Sequence, residues 1–297
     1  MKKQYCLFLL FTLALWAQPK SKVVLEVLGS GGPEIGDKRA SSAYLVKIDG
    51  KSRILVDFGG GASLRFEEAN AKIEDLDVIL LTHLHIDHTA DFPALLKGSF
   101  FTPRKRDLPV FGPYSNRSMP DVNTFLERLF EGYKGAWQYM GDYLDGSADF
   151  RLIGKTVPYS REVKTVYAKD DITIETVSVH HGPIPAVAYR VNIGKKSITF
   201  SGDMNGAFHT LEVLAKDTDI LVAHNAVPKG ATGVAAQLHM TPETIGKIAK
   251  EATPKTLILS HRMRRTLGKE LETISEIRKS YKGKVKFADD GSRFLLL

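Results

Sequence analysis

Apolar positions recur along this chain with two periods, one of strands and one of helices. Val23-Val24-Leu25-Glu26-Val27-Leu28 reads as a strand, Ser42 to Ile48 and Arg53 to Asp57 as a hairpin turning at Asp49-Gly50, and Asp77 to Leu81 as a buried strand. Helical spacing predicts helices over Ala62 to Lys72 and Thr89 to Lys97. In the second half Ile172 to Val179 reads as a strand, and Val187 to Ile193 with Lys196 to Ser201 as a hairpin about Gly194-Lys195. Asp219 to Ala223 and Thr256 to Ser260 follow as apolar strands, with helices over about Thr241 to Glu251 and Leu267 to Tyr281. Thr241-Pro242-Glu243 is a helix start, with Thr241 as N-cap and proline at the first helical position. The chain is expected to close on a hairpin, Lys284 to Phe287 with Arg293 to Leu297, around Asp289-Asp290-Gly291.

The halves share an order, hairpins first and then strands alternating with helices, which predicts an α/β fold of two face-to-face sheets with helices outside. No Pro/Gly/Ser linker divides the chain, so one domain over 23–297 is expected. Residues 115–161 fit this outline least. Gly132, Gly135, Gly141 and Gly146 alternate there with Tyr133, Trp137, Tyr139 and Tyr143, which predicts a helical insertion or lid. Local packing and substrate contact both suit such aromatics.

The start of the chain changes the compartment. Met1-Lys2-Lys3 precedes an apolar run from Tyr5 to Trp16, the layout of a secretory signal peptide over residues 1–17, extending at most to about 20. The run is short for a membrane span, which needs about 20 apolar residues, so cleavage is expected before an uncleaved anchor. A periplasmic or secreted protein follows, with no membrane span in the mature chain. Removing 1–17 takes away two lysines and no acid, so the net charge of +7 falls to +5, a mild and scattered excess that suits a solvated surface before it suits anionic esters. It also removes Cys6, the only cysteine, which excludes disulfides and thiol chemistry.

The densest chemistry follows the strand Val78-Ile79-Leu80-Leu81. Within Thr82-His83-Leu84-His85-Ile86-Asp87-His88, three histidines and an aspartate occupy six positions. Imidazole nitrogen and carboxylate oxygen together suit zinc and, less selectively, iron or manganese. Thr82 is a candidate turn cap, and Asp91 is open between a structural and a catalytic role.

These residues closely resemble the H-x-H-x-D-H signature of the metallo-β-lactamase superfamily. Leu28-Gly29-Ser30-Gly31-Gly32-Pro33 and Leu55-Val56-Asp57-Phe58-Gly59 are similar to the family's opening elements. The resemblance implies a four-layer αββα sandwich of two mixed sheets. It also implies that His83, His85 and His181 hold one divalent ion, that Asp87, His88 and His261 hold a second, and that Asp203 bridges them. Zinc is the first expectation, with Mn2+ and Fe2+ as alternatives. His180 competes with His181, and the Pro-containing segment followed by Ala188-Tyr189-Arg190 favours His181.

His239-Met240-Thr241 resembles the His-x-Thr motif of the ribonuclease Z and arylsulfatase branch, which makes His239 the candidate that assists the leaving group, with Asp87 orienting the attacking hydroxide. His224 and His209 are weaker candidates. Asn225 stands where the branch often has a glutamate, which leaves an assisting carboxylate in doubt. Only Gly182 to Gly202 separates His181 from Asp203, where many nucleases of this branch insert a transfer-RNA-gripping arm. The resemblance therefore implies an exported, arm-less hydrolase of a small anionic ester, phosphodiester before aryl sulfate, with no tRNA partner. A lactonase or β-lactam hydrolase and a non-catalytic metal- or ligand-binding protein are the alternatives. A homodimer is among the assemblies such relatives adopt.

Overall fold

The computed structural model describes residues 21–296, so the leader expected over 1–17 lies outside the described residues. Among the described residues no helix is long and apolar enough to cross a membrane. The first half runs β1 (Val23–Gly29), β2 (Ala43–Ile48), β3 (Lys51–Phe58), α1 (Ala62–Glu68), β4 (Val78–Leu80), α2 (Ile86–Thr89), α3 (Phe92–Ser99), β5 (Leu108–Pro113), α4 (Val122–Phe130), α5 (Asp142–Asp145) and β6 (Leu152–Val157). The second half runs β7 (Lys164–Lys169), β8 (Ile172–His181), β9 (Ile184–Ile193), β10 (Lys196–Phe200), α6 (Leu211–Leu214), β11 (Ile220–His224), α7 (Gly233–Leu238), α8 (Pro242–Ala252), β12 (Thr256–Ser260), α9 (Glu270–Ser280), β13 (Lys284–Phe287) and β14 (Arg293–Leu296).

Two seven-stranded sheets result, ordered β14-β1-β2-β3-β4-β5-β6 and β13-β12-β11-β10-β9-β8-β7. Each joins antiparallel neighbours to parallel ones, so both are mixed. Alternation along the strands builds the layers. In β3, Ile54 and Val56 share one apolar cluster with Val187, Tyr189, Ile198 and Val222 of the second sheet, while Leu55 and Phe58 belong to the cluster under the outer helices. Strands covered on both faces read as continuous apolar runs, which is why they were visible in the sequence. Outside the second sheet, Leu211, Leu214, Ile245, Ile248 and Ile277 from α6, α8 and α9 close the fourth layer, completing the αββα sandwich.

The structure corrects several local expectations. β13 and β14 are not a hairpin: β13 pairs with β12 in one sheet and β14 with β1 in the other. The Asp289-Asp290-Gly291 link crosses between the sheets, and the Asp290 carboxylate accepts hydrogen bonds from the Ser30 and Ala40 amides at 3.0 and 2.8 Å. The helix expected over 62–72 stops at Glu68, because Asn70 turns the chain with a φ of 50°. The helix expected over 89–97 is split into α2 and α3. Pro93 opens α3, and a proline cannot continue a preceding helix. β5 was hidden by Pro109 and Pro113, which argue against an interior strand, yet it pairs on both sides.

The stretch 115–161, expected as a helical insertion or lid, carries α4 and α5 in the outer layer and then β6. Val122, Leu126, Phe130, Met140 and Tyr143 pack against the outer face of the first sheet, and Trp137 and Tyr143 pack on Phe130 and Phe150.

Candidate metal centre

β3 and β4 run parallel in one sheet, and β8, β10, β11 and β12 share a direction in the other. Their carboxyl ends therefore meet along one edge of the sandwich, where open α/β sheets carry their sites. His83 to His88 follow β4, His181 ends β8, Asp203 follows β10, His224 ends β11 and His261 follows β12. The sheets touch there: the Val187 amide donates to Thr82 O at 2.9 Å, and a Cβ on Gly202 would lie 2.8 Å from that of Thr82. His261 takes a φ of 52°, a left-handed conformation unusual for a histidine and held by the loop around it.

All seven side chains expected as ligands converge. His83 Nε2 lies 3.1 Å from His85 Nδ1, which lies 3.3 Å from His181 Nε2. On the other side His261 Nε2 is 3.2 Å and His88 Nε2 3.7 Å from Asp87 Oδ2. Asp203 stands between: Oδ2 is 3.9, 3.7 and 3.8 Å from His83, His88 and His181, and Oδ1 is 3.4 Å from His261. His180 and His181 occupy successive strand positions and so point to opposite faces; His180 packs against Phe208 instead. His239 lies just before α8, its Nδ1 3.7 Å from Asp203 Oδ2, and its ring flanks those of His181 and His261. Thr241 caps α8 by accepting from the Thr244 amide. His209 is 80% exposed beside Glu212 and takes no part.

These donors fit divalent ions. Nitrogen and oxygen ligands about 2.0–2.2 Å from a tetrahedral ion lie about 3.3–3.6 Å from one another, close to the 3.1 and 3.3 Å of one group and the 3.2 and 3.7 Å of the other. His88 Nε2 is buried and has no hydrogen-bond partner. Burial and neighbouring imidazoles push His83 well down and hold His181 and His85 low, so these rings are in the neutral, ligating form. Burial opposes ionisation of Asp87, yet His88 and His261 hold it at about 2; Asp203 is driven well below the usual carboxylate range by its imidazole neighbours, His261 first. Burial likewise opposes charge on His88 and His261, but the surrounding carboxylates outweigh it and raise both. Two ionised carboxylates thus call for positive charge between them.

Behind these donors stand supports that residue type alone does not mark. Asp57, fully buried at the end of β3 with a φ of 54°, accepts from the Thr82 amide at 2.7 Å and the Thr82 hydroxyl at 2.8 Å, and its Oδ2 lies 2.7 Å from His88 Nδ1. Thr82, expected as a turn cap, anchors the turn on Asp57 through its amide and hydroxyl. Asp91 accepts from the Ser63 amide and hydroxyl, a structural role. His181 Nδ1 lies 2.8 Å from Leu238 O. Each such partner leaves the opposite ring nitrogen turned to the centre.

Residues 52–262 match the family described as the Beta-lactamase superfamily domain. The chain is 28% identical over 255 residues to Ribonuclease Z of Mycobacterium sp. (strain KMS), covering 80% of this chain and 84% of that one. In structure it is similar to the metallo-beta-lactamase fold protein YhfI from Bacillus subtilis, with a TM-score of 0.70 and 21% identity over 93% of this chain and 100% of that one. It is also similar to human tRNase Z, short form, with a TM-score of 0.70 and 19% identity over 91% of this chain and 98% of that one.

Proposed function

The chain belongs to the beta-lactamase superfamily and is a metal-dependent hydrolase of that fold, and from this premise we propose that it hydrolyses small anionic esters, phosphodiesters first, with two divalent ions. The observation that carries the two-ion reading is the Asp203 carboxylate, shared between the His83, His85 and His181 group and the Asp87, His88 and His261 group. Zinc is the first expectation for a set of five imidazoles and two carboxylates, with manganese and iron as alternatives. Two such ions would polarise a phosphoryl oxygen and lower the pKa of an attacking water.

The protein's own groups do the rest. Asp87, held ionised, orients the attacking water by accepting its hydrogen bond. His239 borders both ligand groups and is held at about 3, chiefly by burial; its neutral ring donates an N–H hydrogen bond to the leaving oxygen. Arg265, on the loop after His261, bears electrostatically on His239, and its Nε and Nη2 bind Ala226 O at 2.6 Å and Met263 Sδ at 3.2 Å. Its positive charge beside the site favours an anionic substrate.

The segment between His181 and Asp203 is taken up by β9 and β10, joined by a two-residue turn. That hairpin belongs to the second sheet, so the nucleic-acid-gripping arm expected at this place in nuclease relatives is not built there. This favours a small ester over tRNA, and the leader adds export to the proposal.

The test is metal analysis of protein lacking residues 1–17, with rates on bis(p-nitrophenyl) phosphate, p-nitrophenyl sulfate, a lactone and nitrocefin. Two equivalents of metal and fastest turnover of the phosphodiester are expected, lost on chelation and restored by reloading. Preference for the lactone or nitrocefin would move the substrate class. Two bound ions without turnover of any of the four would favour the binding protein.

A further inference from the structure

His224 is a buried imidazole at the centre that neither the two-ion assignment nor the proposed reaction uses. By proximity alone it could be a ligand, since its nitrogen lies with those of His88 and His261 and the Asp203 carboxylate within 4.8 Å of one another. Its hydrogen bonds give it another part. Nδ1 lies 2.8 Å from Asp203 Oδ1, and Nε2 lies 3.0 Å from the Tyr44 hydroxyl, which in turn lies 2.9 Å from Ser260 Oγ. Both ring nitrogens are engaged, so neither has a lone pair free for an ion.

The proton assignment follows from the partners. A carboxylate only accepts, so Nδ1 carries the hydrogen, and the Tyr44 hydroxyl is shared between His224 Nε2 and Ser260 Oγ. Tyr44 stands on β2 of the first sheet, while His224 and Ser260 end β11 and β12 of the second. Tyr44, His224, Asp203 and Ser260 are all at most 2% exposed, so water does not compete for these bonds. The chain of contacts crosses from one sheet to the other and ends on the carboxylate shared by both ligand groups.

We infer that His224 and Tyr44 are positioning residues: the Tyr44 hydroxyl holds the tilt of His224, whose Nδ1 hydrogen holds Asp203 Oδ1 so that the carboxylate faces both ligand groups. This rests on the two-ion reading above. Partners that orient a metal ligand in this way are worth roughly 10–100-fold in metal affinity. The residues that bind the ions and the residues that aim the shared ligand are thus separate, and the aiming comes partly from the opposite sheet.

The experiment measures zinc stoichiometry and affinity, by competition with a chromophoric chelator, in wild type, Tyr44→Phe, His224→Ala and His224→Asn. The asparagine amide can place an N–H near the position of Nδ1. The expected result is two ions in every variant at saturating zinc, with affinity falling roughly 10–100-fold in His224→Ala, falling less in Tyr44→Phe, and returning most of the way in His224→Asn. One ion lost in His224→Ala without rescue by asparagine would make His224 a ligand and overturn the inference. Wild-type affinity in folded variants, with only the melting temperature of the chelated protein lowered, would reduce both residues to packing and also overturn it. Fewer than two ions in the wild type would count against the two-ion reading itself, whatever the variants do.

Discussion

Replacing Asp57 by asparagine changes no bulk and leaves the fold's hardest constraint at that site intact, because asparagine tolerates the left-handed backbone that Asp57 adopts. What changes is the acceptor count. Asp57 takes three hydrogen bonds, from the Thr82 amide, the Thr82 hydroxyl and His88 Nδ1. An amide offers one oxygen. If that oxygen keeps the Thr82 amide, the new NH2 group faces His88 Nδ1, which can no longer carry a hydrogen. The ring must then place its proton on Nε2, the nitrogen turned toward Asp87 and Asp203 and required bare to bind an ion. A hydrogen bond to a charged group contributes about 1.5–3 kcal/mol, which corresponds to roughly 10–150-fold in affinity. On the proposed two-ion assignment, the loss should fall on the ion assigned to Asp87, His88 and His261 and spare the one assigned to His83, His85 and His181. Stepwise zinc competition at neutral pH on the folded variant, with circular dichroism as the folding control, reads both affinities. Two ions bound as tightly as in wild type would refute the tautomer argument, and equal weakening of both would refute its one-sidedness.

His239→Ala should retain two ions while kcat on bis(p-nitrophenyl) phosphate falls roughly 10²–10⁴-fold, the range for a lost proton-handling group; loss of an ion instead would place His239 among the ligands. Gly59→Ala should lower metal content and denaturant midpoint together, because a Cβ there would sit 2.1 Å from the Asp87 carbonyl oxygen. The cost is about 1–3 kcal/mol if the loop shifts to make room, and an unchanged midpoint would show that Asp87 moves freely. Asp77→Asn should destabilise by about 2 kcal/mol, less than a fully buried pair because Arg106 and Lys169 are 46% and 43% exposed. Burial disfavours the Asp77 charge, but Arg53 and Arg106 overcome it and lower the pKa, so the folded state favours the ionised form. That contribution is present above about pH 4 and lost as pH falls through the lowered value. Urea titrations should therefore show wild type and Asp77→Asn converging below pH 4, and a gap that persists there would assign the effect to packing.

The layers were legible because each inner strand carries apolar residues on both faces, as Ile54, Leu55 and Val56 do. What the periodicity could not show was which sheet a strand joins. Lys284 to Phe287 and Arg293 to Leu296 alternate like a hairpin around Asp-Asp-Gly, yet each completes a different sheet. Local alternation records that a strand has two unlike faces, and says nothing of its neighbour. β5 failed for the opposite reason: Pro109 and Pro113 each lack one N–H, a local penalty that pairing on both sides outweighs.

The candidate donors of the site were legible for a chemical reason, since imidazoles and carboxylates are the ligand types this chain offers and few of them stand at apolar strand ends. The choice between His180 and His181 was not decided by type, because both are histidine; it turned on which face of β8 looks toward Asp203. The supports are further from view. His88 meets Asp57 from 31 positions away, and His224 meets Tyr44 from 180. An aspartate inside an apolar strand and a tyrosine in a core each have ordinary explanations, and only the closing of the two sheets gives them another. Ligand identity is therefore a property of side-chain type, whereas ligand aim is a property of topology. A chain that kept all seven donors while losing Asp57, Tyr44 or His224 would present the same sequence signature, yet it should bind its ions less tightly.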